Sequence, residues 1–169
     1  MKSNIKEELS DKIESVLERL ELVLRHQKRV EQDCELLGKK LIQRGEITLG
    51  LSLIKEGRRH DLSKLEGIEF EGLTQTSNKE LLKLAIEQHR STNKHHVTYW
   101  GDIQSMPPLY LAELVCDLHC RSTEFGTDLR EYLKEDFFPK HGITNGCKVG
   151  KLIREYVELL LDKPFSKAI

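Results

Sequence analysis

Proline is scarce in this chain, with four in 169 residues and none before Pro107. Nothing in the first hundred residues therefore forbids a helix by ring geometry. Charge of one sign is also missing: the formal net charge is −1, so no global field draws in nucleic acid or an anionic membrane surface. Aromatic residues make up only 6%, and no aromatic-basic stripe of the kind that stacks and neutralises nucleic acid is present. The basic stretch Arg25-His26-Gln27-Lys28-Arg29 is short and followed by acids. No apolar run approaches the roughly 20 residues of a membrane span. The first residues, Met-Lys-Ser-Asn-Ile-Lys-Glu-Glu, lack the apolar segment of a signal peptide, which predicts a cytoplasmic protein. No Cys-x-x-Cys pair occurs among Cys34, Cys116, Cys120 and Cys147, so the thiols suit a reducing compartment. Cys116, His119 and Cys120 are close enough on a helix to suggest zinc, but the paired spacing of a zinc knuckle is absent.

The length predicts one domain with a sizeable core, and 38% hydrophobic with 33% charged residues is a folded, helix-rich composition. Apolar positions Ile5, Leu9, Ile13, Val16, Leu20, Val23, Val30, Cys34, Leu37 and Leu41 step by threes, fours and a seven. That spacing predicts one long helix, or two joined near residue 20, packed on the same domain. It also permits a coiled-coil contact, and with it a homo-oligomer. A second helix is predicted from about Glu46 to Arg59, then a loop with at most one turn from Leu62 to Thr76, containing Gly67 and Gly72. Ser77-Asn78-Lys79-Glu80 fits a capping box that starts a third helix to about Arg90. A short ordered segment spans Asn93 to Trp100, and Met106-Pro107-Pro108 opens a helix through about Thr123. Thr127 to Phe138 and Lys148 to Asp162 complete an all-α fold of six or seven helices. No segment alternates as a strand would, and no internal repeat is present.

Six of the seven histidines are drawn into one order of motifs: His26, then His60-Asp61, His89, the pair His95-His96, Asp117 and, beside it, His119. Each feature has a bland explanation. His26 on an apolar face suits a buried histidine with a backbone partner. His60 complements the dipole at a helix end, and His95-His96 reads equally as a polar loop. Asp117 in Leu114-Val115-Cys116-Asp117-Leu118 is harder to dismiss, because a carboxylate in an apolar helical run needs a partner. Together they predict imidazole nitrogens and carboxylate oxygens gathered around one or two divalent metals.

These motifs resemble those of the HD-domain superfamily of metal-dependent phosphohydrolases, all-helical proteins named for their His-Asp doublet. The closer resemblance is to a small branch of unknown function from phages and bacteria. It is carried by His26-x-x-x-Val30, by His60-Asp61-Leu62-Ser63-Lys64 with Glu69-Phe70, by His89-x-x-x-Asn93-x-His95-His96-x-x-Tyr99-Trp100, and by Glu113-x-x-Cys116-Asp117. It covers roughly residues 20 to 135, within a single domain of residues 1–169. His119 stands where a tryptophan is expected, and the tyrosine usual after Glu-Phe is missing.

The resemblance implies His26, His60, Asp61 and Asp117 as ligands of one metal, and His89 with His95 or His96 around a second that Asp61 bridges. Manganese, iron, cobalt, nickel, zinc and magnesium all suit such donors. A metal-bound water would attack phosphorus, with Asp61, Lys64 and His89 as catalytic residues. Lys64, Arg59, Asn93 and His96 would bind substrate, with Arg58 and Arg90 as weaker candidates. The partner expected is a small phosphorylated molecule such as a nucleotide. A metal-stabilised scaffold that binds a nucleotide or a protein without turnover is the alternative, and an oxygenase on the same scaffold is a third reading.

Overall fold

The computed structural model describes residues 2–75 and 77–165, with side chains from Leu9 onward. The fold is all-α, as the periodicity predicts, and no strand occurs among the described residues. Helix α1 runs unbroken over Lys2–Gln43, so there is no joint near residue 20, and Gly38 lies inside it. The turn at Arg44 and Gly45, with Gly45 N–H donating to the Ile42 carbonyl at 2.9 Å, reverses the chain into α2 (Ile47–Gly57). The two helices lie antiparallel at very close range. A Cβ built on Gly57 would stand 2.4 Å from Cys34 Cβ, a distance no larger side chain tolerates. That approach sets the end of α2, and thus the His60-Asp61 turn, directly over α1.

The stretch expected to be a loop from Leu62 to Thr76 is instead a 3₁₀ turn, Leu62–Leu65, followed by helix α3, Gly67–Thr74; Thr76 lies outside the described residues. Its glycines signal a turn in sequence, but Gly72 serves a packing purpose. A Cβ there would be 2.4 Å from Ala85 Cβ, so the missing side chain lets α3 press against α4 (Lys79–Thr92). Helix α4 is capped one residue later than a Ser77 capping box would have it: Asn78 Oδ1 accepts from Leu81 N–H at 3.1 Å. The short helix α5 (Val97–Trp100) follows.

Helix α6 (Pro108–Phe125) starts with proline in its first turn, as expected. It is the central strut, in contact with α1, α2 and α9 (Lys148–Leu161). Between α6 and α9, α7 (Leu129–Tyr132) and α8 (Phe138–Lys140) join through a π-turn at Leu133–Phe137. The wider turn lies just ahead of Pro139, whose ring would clash with the carbonyl four residues back in a regular α-helix. One apolar core joins these elements, from Val30, Cys34, Leu37 and Leu41 through Leu111 and Val115 to Ile153 and Val157. Along α1 the apolar stripe is buried only from Val30 onward. Val16, Leu20 and Val23 are half-buried, and Leu9 and Ile13, expected to pack on the domain, are exposed. The Ile5 side chain lies outside those described. No helix is long and apolar enough to cross a membrane among the described residues.

Candidate metal centre

Four separate pieces of chain deliver the site. His26 projects from α1 four residues before the core residue Val30. His60 and Asp61 occupy the turn after α2. His89 ends α4, with His95 and His96 in the turn that follows it, and Asp117 faces inward from α6. All except the half-buried His96 are buried. Asp61 adopts left-handed backbone geometry with φ +57°, which costs a non-glycine residue about 1 kcal/mol. Its carbonyl accepts from Gln27 Nε2 at 2.8 Å, so α1 itself holds the strained turn.

The Asp61 carboxylate divides the cluster in two. Oδ2 lies 3.7 Å from His26 Nε2 and 3.4 Å from His60 Nε2, while Asp117 Oδ1 lies 3.1 and 3.9 Å from those nitrogens. Oδ1 faces the other way, 3.2 Å from His89 Nε2 and 3.4 Å from His95 Nε2. His26, His60 and Asp117 can present one ligand atom each within 4.8 Å of one another, and so can His89, His95 and His96. The Nε2 atoms of His26, His60, His95 and His96, together with Asp61 Oδ1, are buried without a hydrogen-bond partner. Orphaned polar atoms carry a desolvation cost unless something satisfies them. A cluster of imidazole lone pairs and carboxylate oxygens is the donor set of a divalent cation, so the residues present fit one.

Two carboxylates absent from the candidate set stand behind the ring. Glu113 Oε1 lies 3.0 Å from His60 Nδ1 and 3.4 Å from His95 Nδ1. Glu69 Oε2 lies 2.7 Å from His89 Nδ1 and accepts from Ser63 Oγ at 2.8 Å. A carboxylate on Nδ1 favours the tautomer that leaves Nε2 free as a donor atom toward the centre. Their spacing held a clue, since Glu113 precedes Asp117 by one helical turn. On the far side of His26, Nδ1 meets Glu124 Oε1 at 3.2 Å and Cys120 Sγ at 3.3 Å. Cys120 therefore belongs with His26, whereas His119 pairs with Asp33 at 2.7 Å and Cys116 is buried beside Cys34. The three do not form one zinc group.

Burial works against charge here, yet the carboxylates stay ionised. It pushes the Asp61 and Asp117 carboxyls upward, but His60, His95 and Lys64 hold Asp61 well below its ordinary value, and the His26 imidazole 3.1 Å away does the same for Asp117. Glu113 is brought to about 2 by its two histidines against the same burial penalty. Burial lowers His89 to about 4 and His96 to about 3, so both are neutral. Burial weighs against the charged form of His95, yet the Asp61 and Glu113 carboxylates beside its two ring nitrogens raise it to about 10.

The substrate residues expected from sequence separate. Lys64 reaches the centre, and its ammonium bonds Asp61 Oδ2 there. Asn93 acts behind His89, donating from Nδ2 to Ser63 Oγ at 3.1 Å and to the His89 carbonyl at 3.0 Å. Arg59, with Arg58, is exposed and does not line the cavity at the centre. That cavity, about 380 Å³, opens from Asp61, His89, His96 and Asp117 and is bordered by Lys64, Arg90 and Arg121.

The profile of a family of unknown function (DUF5662) matches residues 15–144, a span that holds every residue of this centre. No curated protein and no solved structure matches the chain.

Proposed function

The chain belongs to this family of unknown function, and from its own side chains we propose a metal-dependent phosphohydrolase of HD type acting on a small phosphorylated molecule. One observation carries the reading: Asp61 turns one oxygen to His26 and His60 and the other to His89 and His95, amid orphaned imidazole nitrogens. His26, His60, Asp61 and Asp117 would hold one cation, and Asp61, His89 and His95 or His96 a second. Bound cations supply Lewis acidity toward phosphoryl oxygens and a water acidic enough to ionise near neutral pH.

The chain's own part is positioning. Glu113 and Glu69 keep three imidazoles turned inward. Lys64, on the Asp61 carboxylate, would be free to meet a phosphate oxygen once that carboxylate served as a ligand. Arg90 and Arg121 border the cavity with positive charge, which suits a phosphate group. We place the activity in the cytoplasm of the cell that makes the protein.

Protein loaded with manganese, iron, cobalt or magnesium should release phosphate or a nucleoside monophosphate from members of a phosphorylated-metabolite panel. Asp61→Ala should lose metal, measured by elemental analysis, and all turnover. Lys64→Ala should keep metal and turn substrate over slowly. Loaded wild-type protein that binds one such molecule tightly and hydrolyses none replaces catalysis with sequestration.

A further inference from the structure

The cavity beside the centre is two-sided. Metal-facing groups form its floor, while Leu73 of α3 and Leu82, Ala85 and Ile86 of α4 form an aliphatic wall. Resting on the phosphohydrolase reading above, we infer that the substrate is a phosphate ester of a small, mainly aliphatic alcohol and not a nucleotide. A nucleobase presents several polar edge atoms and a flat face, and its pockets supply stacking rings and hydrogen-bonding partners. Among the described residues no Phe, Tyr or Trp lines this cavity, and no Asn, Gln, Ser or Thr does either.

The charged groups within reach are largely engaged. Glu69 Oε2 already serves Ser63 and His89, and Arg121 Nη1 holds Glu124 Oε2 at 3.1 Å. Burying base edges against Leu82 and Ile86 would leave them unsatisfied, at a cost that methylene groups do not incur. The volume of about 380 Å³ sits at the lower end of ligand pockets. It suits a phosphate with a short chain. Arg90, exposed and one residue beyond His89, lies where it can meet the anionic head, while the wall meets the tail.

The two halves of this inference separate in a calorimetric titration of manganese-loaded protein with n-alkyl phosphonates from methyl to hexyl, beside adenosine and uridine 5′-monophosphate. These phosphonates have no ester bond to cleave, so binding is read without turnover. Affinity should rise about two- to four-fold per added methylene over the first few carbons, and the longer phosphonates should outcompete both nucleotides. Ile86→Asp, on a side chain 41% exposed and thus safe for folding, should flatten the chain-length series. Arg90→Gln should weaken every member by a similar factor and leave the slope intact. A series that is flat in wild-type protein, or nucleotides that bind tighter than hexyl phosphonate, overturns the inference. A steep series in a protein that hydrolyses no phosphate ester keeps the pocket assignment and removes the catalytic reading. Hydrolysis confined to nucleotides does the reverse.

Discussion

At the scale of single residues, the imidazoles matter less as isolated ligands than as rings whose orientation is imposed from behind. Glu113 touches His60 and His95 at once, so one side chain sets donor atoms for both halves of the cluster. Glu113→Gln preserves size and its amide oxygen can still accept hydrogen bonds, but it removes the negative charge that polarises both imidazoles. Metal affinity should fall by roughly 10- to 100-fold, measured by competition with a chromophoric chelator, while the helical circular dichroism stays that of the wild type. Unchanged affinity would mean that the rings are held by packing alone.

At the scale of elements, the critical junction is the approach of α2 to α1. Gly57 presses on Cys34, and three residues later the chain must place His60 and Asp61 opposite His26. Gly57→Ala forces a methyl group into a space that α1 already fills. Overpacking of this kind costs about 1–3 kcal/mol, read as a lower melting temperature. Because relief of the clash moves the end of α2, metal content should fall as well. Gly67→Ala offers the contrast. No atom lies within 4 Å of its built Cβ, yet its φ is +52°, so any loss there comes from backbone strain, with metal content retained.

At the scale of the whole molecule, the centre makes stability depend on pH, and metal changes the direction. In metal-stripped protein His89 and His96 fold with values near 4 and 3. The unfolded chain takes up those protons near 6.5, so as pH falls from 6.5 to 5 it binds more protons than the native state and stability drops. Glu69, raised by burial, acts in the opposite sense at the bottom of that range. Above 6.5 His95, with a value near 10, keeps a proton that the unfolded chain has lost, and stability declines again. The melting temperature of stripped protein should therefore peak near pH 6.5. With His95 as a ligand, metal binding would require its proton to leave, so affinity should rise with pH and the peak of the loaded protein should move to higher pH. Differential scanning calorimetry of both forms from pH 5 to 9 checks this; coincident profiles would remove His95 from the ligand set.

Local patterns in the chain determined the helical class and the proline-led start of α6, and they singled out the histidines and aspartates that the fold gathers, because periodicity and buried charge are written in short stretches. The Leu62–Thr74 segment was not legible. Gly67 and Gly72 signal a turn locally, and only the face of α4, with Ala85 against Gly72, explains a glycine inside a helix. The exposed start of α1 was hidden for a like reason: Leu9 and Ile13 continue the apolar rhythm of Val30 and Leu37, but periodicity cannot say where the domain behind a helix ends. Only tertiary structure brought Glu69 and Glu113 behind the histidines, turned Lys64 onto Asp61 and kept Arg59 away from the cavity. Those outcomes depend on contacts between residues far apart in the chain, or on the direction a side chain takes at the end of a strained turn, and neither is encoded in local spacing.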